Sequence, residues 1–331
     1  MKLNFSNYKY KEKAKKILSS NMKSNLSLSR ADAFIILIHG VPFEDLKNLC
    51  IYLANTLNIN LNDAYNLIQY PKNVNKELIL KTAYTVLKKE NHLGVNKTSD
   101  SKYNTSSWIS HSLYEAKACE TIAKMLHKDS DFLFCYGLLH DYGRKFTHNF
   151  NHVIIGFENL VDLNLDKYAK GCLTHSFING ERYCNNEFIS HGFKIKNNTI
   201  ILSDDLKDED IYQVLDNSNY SLSDDILNVA DLIASDSGIV SPEKRINDIA
   251  KRKTNIDNSL NRGYFIASYH NLLLKILKLY DAKIKINPIN INNENLETIK
   301  NKFHIISEIF FSFYNNFLIN KEDHNEATIQ L

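Results

Sequence analysis

The sequence predicts an all-α protein, and two observations support that prediction. Only 4 Pro and 10 Gly occur among the 331 residues, and these are the residue types that most strongly end or destabilise helices. Apolar residues also recur at positions i, i+3, i+4 and i+7 over long segments, which is the period of an amphipathic helix. The clearest such segments are "HSLYEAKACETIAKMLH" (111–127), "IASYHNLLLKILKLYDAK" (266–283) and "NLETIKNKFHIISEIFFSFYNNFLI" (295–319).

One short segment departs from the helical period. In "FKIKNNTIIL", residues 193–202, β-branched residues flank an Asn-Asn pair, which is typical of two strands joined by a tight turn. We expect a small β-hairpin here, inserted between helices.

The composition is that of a globular protein, with 44% hydrophobic and 24% charged residues. The longest apolar run, "AFIILI" at residues 33–38, is much shorter than the roughly 20 residues that cross a bilayer. The N-terminal residues lack the apolar core of a secretory signal. The 5 cysteines form no C-x-x-C pair and resemble reduced core thiols. We therefore expect a cytoplasmic protein without a membrane partner.

The charge of the chain gives little indication of a macromolecular partner. The formal net charge is +2, so no chain-wide field attracts nucleic acid, and we expect no nucleic-acid partner. The first thirty residues are basic, with Glu12 as their one acidic residue. We interpret them as the solvated face of a helix.

Changes in polarity along the chain divide it into three regions. Residues 1–98 predict several short helices of unknown role, ending at the polar "GVNKTSDSKYNTSS". Residues 99–253 contain most of the clustered histidines. Residues 254–331 predict two C-terminal helices separated by the Asn-rich "KINPININNENLE". The N-terminal region could serve packing or dimerisation, so a homo-oligomer is one expectation.

The middle region contains histidines and aspartates in an order that suggests a metal site. Imidazole and carboxylate together suit first-row divalent metals. Asp231 stands in the apolar "DDILNVADLIAS", where a buried carboxylate is costly without a cation nearby. The candidates for metal ligands are His111, His140, Asp141, His152, His175 and Asp231.

This order resembles the HD-domain metal-dependent phosphohydrolase superfamily, an all-helical fold named for its adjacent His and Asp. "LLHDYGR" (138–144) is similar to the superfamily's "LLHDIGR/K", and "THNFNHVIIGFENL" (147–160) to the helix that follows it. "VADLIAS" (229–235) and "GIVSPEKRINDIAKR" (238–252) are similar to its closing helix and the segment after it. The resemblance covers about residues 105 to 253 and implies an HD-domain helical bundle there.

The resemblance also implies roles for individual residues. His111, His140, Asp141 and Asp231 would hold one divalent metal, with Asp141 bridging to a second. His152 and His175 would add ligands for that second ion. The metal could be Mn, Fe, Mg, Co or Zn, as one or two ions.

Three further roles concern the substrate. Arg144 stands where many members of the superfamily have Lys, and its guanidinium can clamp a phosphate oxygen but does not readily donate a proton. His148 could line the pocket and contact phosphate near the leaving oxygen. Asp141, Arg144 and His148 are therefore the catalytic candidates.

Three functions remain open on this sequence. The favoured one is a phosphohydrolase that cleaves a phosphomonoester or phosphodiester of a nucleotide or another small phosphorylated substrate through metal-activated water. A second is an HD-type di-iron oxygenase, because the same six ligands can hold two irons. A third is a regulatory module that senses a nucleotide, although every ligand position is filled.

Overall fold

The computed structural model describes residues 11–19, 27–38, 60, 62, 107–147, 152–175, 193–196, 199–202, 219–252, 259–290 and 294–326. Within them the all-α class is confirmed. The helices are α1 (Lys11–Ser19), α2 (Arg30–Ile38), α3 (Ser107–Met125), α4 (Ser130–Leu139), α5 (His152–Asp162), α6 (Asp166–Thr174), α7 (Leu222–Ile233), α8 (Pro242–Arg252), α9 (Ser259–Tyr280) and α10 (Leu296–Glu326), with a 3₁₀ helix at Tyr142–Lys145.

The expected hairpin is also present. Strand β1 (Phe193–Lys196) pairs antiparallel with β2 (Thr199–Leu202), with Phe193 opposite Leu202 and Lys196 opposite Thr199. The two residues between the strands lie outside the described part of the chain.

Side-chain caps define where the helices around the site begin. The Asp129 carboxylate accepts a hydrogen bond from the Phe132 amide at 2.9 Å and so starts α4. Ser221 and Asp224 form a reciprocal capping box at the start of α7. Because both caps satisfy amides that the helix leaves unpaired, the helices that carry His140 and Asp231 have fixed starting points.

Helix α4 lies at the centre of the packing. It contacts α3, α2, α6 and α7, and it contributes the fully buried aromatic rings of Phe134 and Tyr136. All residues from Leu133 to Leu139 are buried, so α4 is apolar around its whole circumference. Such a helix has to be covered on every side. Its C-terminal end, where His140 stands, therefore lies inside the protein.

A close backbone crossing joins the 3₁₀ helix to α5. A methyl group at Gly143 would overlap the backbone carbonyl of His152, and one at Gly156 would come within 2.8 Å of the Gly143 nitrogen. Two glycines are needed here because only a residue without Cβ allows such an approach. The crossing holds the start of α5 directly beside Asp141.

The N-terminal helices pack on the same core. Helix α1 contacts α6, and α2 contacts α4. The Leu28 amide donates to the Tyr168 hydroxyl at 3.0 Å, and Lys145 Nζ donates to the carbonyls of Ile36 and Leu37 at 3.4 Å each. The division of the chain at residue 98 stays a prediction.

The C-terminal helices form a pair beside α7. Helix α9 packs on α7 and α10, and α10 also contacts α3 and α8. Lys275 Nζ in α9 lies 2.6 Å from the Asp225 carboxylate in α7. Within the described residues, none of the helices combines the length and the apolar character needed to cross a membrane; the cellular compartment stays a prediction.

Candidate metal centre

Six residues chosen from the sequence meet in the interior, although they come from five α-helices and the start of the 3₁₀ helix. His111 lies in α3, His140 caps the C-terminus of α4, and Asp141 precedes the 3₁₀ helix. His152 begins α5, His175 caps the C-terminus of α6, and Asp231 lies in α7. The predicted set is therefore brought together as a cluster.

Asp141 is the residue that most of the cluster faces. Its Oδ1 lies 3.0 Å from His152 Nε2 and 3.6 Å from His175 Nε2. Its Oδ2 lies 3.5 Å from His140 Nε2. Both carboxylate oxygens of Asp141 therefore face imidazole nitrogens.

The other end of the cluster is formed by His111 and Asp231. His111 Nε2 lies 3.2 Å from Asp231 Oδ1, and the rings of His111 and His140 meet edge to face with centroids 5.3 Å apart. The Asp231 side chain is 24% exposed. Asp231 therefore faces the cluster and has contact with solvent, rather than being sealed among the apolar side chains of α7.

Sequence reasoning missed Glu115. This residue is fully buried, and its Oε2 lies 2.9 Å from His140 Nε2 and 3.3 Å from His111 Nε2. Neither of its oxygens accepts a well-aligned hydrogen bond from the described residues. The spacing of Glu115 from His111 could have indicated its position, because residues four apart on a helix share a face and Glu115 follows His111 by four.

The ligand atoms form two overlapping groups. One joins His111, Glu115, His140 and Asp231, the other joins His140, Asp141 and His175, and within each group the atoms lie within 4.8 Å of one another. Imidazole nitrogen and carboxylate oxygen are the donors that divalent first-row metals accept. The cluster could hold a metal ion; the number of ions and their identity stay predictions.

Backbone carbonyls set the tautomers of two histidines. His140 Nδ1 lies 2.7 Å from the Gly137 carbonyl, and His175 Nδ1 lies 3.1 Å from the Gly171 carbonyl. A carbonyl can only accept, so both Nδ1 atoms donate. Each Nε2 then presents its lone pair to the cluster when the ring is neutral, which is the form that binds metal.

Two of the imidazoles are held neutral. Burial lowers the pKa of His175 to about 3 and also lowers the pKa of His111. The nearby His140 lowers the pKa of both rings further. At neutral pH the rings of His111 and His175 are therefore in the neutral form, which is the form that binds metal.

Glu115 and His140 share a proton. Burial raises the pKa of Glu115 to about 8, against the opposing effect of His140. Burial alone lowers the pKa of His140, but the carboxylates of Glu115 and Asp141 raise it well above its usual value. Because both shifts favour protonation, the pair retains at least one proton at neutral pH.

The aspartates are held ionised. Burial alone raises the pKa of Asp141, but Arg144 and His140 lower it well below its usual value. Burial has the same effect on Asp231, and there the hydrogen bond from His111, with the charge of Arg245, lowers the pKa. Both carboxylates carry a negative charge and suit a cation.

Two arginines stand at the edge of the cluster. Arg144 Nε lies 3.3 Å from Asp141 Oδ1 and its side chain is 30% exposed. Arg245 Nη2 lies 3.8 Å from Asp231 Oδ1 and its side chain is 11% exposed. Arg144 therefore lies beside Asp141, and its role in binding phosphate stays a prediction. His148, the third catalytic candidate, lies outside the described residues.

A buried polar network stands behind His175. Asp224 is completely buried and accepts hydrogen bonds from Tyr136, Lys170 and Thr174 at 2.7 to 2.8 Å. Asn228 donates to the Thr174 carbonyl at 3.1 Å. Since Thr174 directly precedes His175, these bonds fix the end of α6 relative to α7.

Comparison with known proteins found no matching family model, no matching curated protein and no matching solved structure. The likeness to the HD-domain superfamily therefore rests on the motifs and on the helical His/Asp cluster, which is compatible with such a domain.

Proposed function

We propose that the protein is a metal-dependent phosphohydrolase that acts on a nucleotide or another small phosphate ester. The observation that supports this most directly is the position of Arg144 beside Asp141, at the point where three imidazoles approach one carboxylate. A cation beside a metal-binding carboxylate is suited to an anionic substrate.

The residues divide into two tasks. Asp141 with His140, His152 and His175, and Asp231 with His111 and Glu115, would hold the metal. When bound, divalent ions supply a water of lowered pKa and positive charge for phosphate oxygens. Arg144 is exposed enough to meet a substrate, and its planar fork of donors matches two phosphate oxygens.

The shared proton of Glu115 and His140 bears on metal uptake. A ligand has to lose its proton before it binds a metal ion, so loading this cluster displaces the proton that the pair retains. The proposed active enzyme then has His140 neutral and Glu115 ionised. Its three carboxylates, Glu115, Asp141 and Asp231, balance most of the charge of two divalent ions.

The first test combines metal analysis with a screen for phosphate release. Protein purified without chelators is analysed for bound metal and then assayed against nucleotides and simple phosphate esters in Mn²⁺, Mg²⁺ or Co²⁺. We expect release that disappears in Asp141→Asn. The control is Glu297→Gln, which removes an exposed carboxylate of α10 and should release phosphate like the wild type.

The competing functions give different results in the same experiment. About two irons per chain, oxygen consumption and no phosphate release would contradict the proposal and support an oxygenase. Tight nucleotide binding without turnover in any metal would support a regulatory module instead.

A further inference from the structure

Arg245 is the one charged side chain at the described part of the cluster that the proposed chemistry has not used. It lies in the first turn of α8, close behind the helix that carries Asp231. Its Nε is buried without a hydrogen-bond partner among the described residues. Its nearest carboxylates, Asp231 and Asp248, are both 3.8 Å from its terminal nitrogens.

The Nε donor of Arg245 therefore has no acceptor among the described residues. A separation of 3.8 Å is too long for a hydrogen bond, and arginine does not lose its proton in proteins. A charged group that is largely buried without close acceptors raises the free energy of the folded state. Arg245 therefore has a buried donor that no described residue satisfies, and an exposed fraction of 11% through which its terminal nitrogens can meet solvent.

Metal binding would strengthen the attraction of Arg245 for an anion. Asp231 is the carboxylate that offsets the charge of Arg245 inside the cluster, and it also lies 3.2 Å from His111. If Asp231 becomes a metal ligand, it shares its negative charge with the ion. Arg245 then has less negative charge beside it and favours an incoming anion.

Arg144 and Arg245 approach the cluster from its two ends. Arg144 faces Asp141 and Arg245 faces Asp231, and both side chains are partly exposed. A single phosphate held at the Asp141 end would engage Arg144. A substrate that carries another anionic group could engage Arg245 as well.

We propose that Arg245 binds a second anionic group of the substrate, so that the preferred substrates carry a phosphate chain of two or more phosphates rather than a lone phosphate. This inference builds on the proposed function, because it assumes that the metal-loaded cluster binds phosphate. The competing explanation is that Arg245 only positions Asp231.

Binding of two small anions separates these explanations without relying on turnover. Inorganic phosphate and methylenediphosphonate, which resists hydrolysis, are titrated calorimetrically into protein with the same free Mn²⁺ concentration in both solutions. In the wild type we expect the diphosphonate to bind about tenfold more tightly, as expected for one additional charge-assisted contact.

The variants give the decisive comparison. Arg245→Gln should lose the preference for diphosphonate, because its affinity for diphosphonate falls more than its affinity for phosphate, whereas Arg144→Gln should weaken both anions. The matched control is Lys244→Gln, which removes the same charge from an exposed neighbour in the same helical turn and should keep the preference. Arg245→Lys retains the charge and should keep part of the preference for diphosphonate. It replaces the glutamine variant in the comparison if that variant does not fold.

Three results would overturn the inference. The first is a wild type that binds both anions equally or binds neither. The second is a preference that survives in Arg245→Gln. The third is a loss of the preference in Arg245→Gln that is accompanied by a loss of bound Mn²⁺, which would make Arg245 a partner of Asp231 alone. A wild type that prefers diphosphonate but hydrolyses nothing would contradict the phosphohydrolase and leave the inference standing.

Discussion

The two ends of the metal cluster are built in different ways. At the Asp141 end, four histidine and aspartate side chains come from residues 140–175, and they stand at helix ends fixed by backbone contacts such as the Gly143–Gly156 crossing. At the Asp231 end, the side chains come from within α3 and α7, which are far apart in the sequence. The first end depends on local backbone geometry, and the second depends on how two distant helices pack.

The Asp141 end should therefore be the more sensitive to backbone changes. In Gly143→Ala the new methyl group would overlap the His152 carbonyl, and neither backbone can move without displacing α5. We expect destabilisation of about 3 kcal/mol or failure to fold, measured by urea unfolding. Gly171→Ala is the control, because its methyl group meets the Tyr136 ring, and a side chain can shift more easily. Equal effects would argue against a rigid crossing.

The Asp231 end should respond most to the loss of a ligand. Glu115→Gln keeps the shape of the side chain and removes its charge, so we expect the affinity for Mn²⁺ to fall about 10- to 100-fold. Competition with a metal indicator measures it. An unchanged affinity would show that Glu115 is only a buried neighbour of His140.

The same variant should alter how stability depends on pH in chelator-treated protein. The pKa of Glu115 is raised to about 8, so the folded protein holds a proton that the unfolded chain loses near pH 4.5. Wild-type stability should accordingly fall as the pH rises from about 5 to 8. The raised pKa of His140 acts in the same direction. Unfolding at several pH values should show a weaker decline for Glu115→Gln than for the wild type.

Proton release on metal binding tests the shared proton directly. Loading the cluster has to displace the proton between Glu115 and His140, so affinity for Mn²⁺ should rise from pH 6 to pH 8. Calorimetry in two buffers of different ionisation enthalpy counts the protons released. A count near zero at pH 7 would place no proton on the pair.

The smallest expected effect concerns the link between the two ends. Asn228→Ala removes hydrogen bonds from α7 to the carbonyls of Thr174 and Asp224. We expect a loss of about 1 kcal/mol in stability and a modest loss of metal affinity, since His175 follows Thr174. A loss of stability with unchanged metal affinity would mean that the ends are positioned independently.

The difference between local geometry at the Asp141 end and packing of distant helices at the Asp231 end also explains what the sequence could predict. Hydrophobic period and scarcity of Gly and Pro were sufficient for the helical class, and the alternation around Asn197 and Asn198 was sufficient for the hairpin. The His-Asp pair and its downstream histidines lie in recognisable motifs. Glu115 lies outside the quoted motifs, and Arg245 lies in the quoted segment 238–252 without being singled out there. Their contacts depend on how α3, α7 and α8 pack, which periodicity does not determine.

The contacts of Lys145 and Tyr168 with the N-terminal helices affect how the chain can be cut. The N-terminal helices bury five apolar side chains in the shared core: Ala14, Ile17, Leu18, Phe34 and Leu37. Tyr168 and Lys145 form hydrogen bonds with backbone groups of residues 28–37. A fragment limited to residues 99–253 would expose the apolar surface that these helices cover. We expect it to aggregate or to need a replacement partner, so an expression fragment should retain residues 11–38.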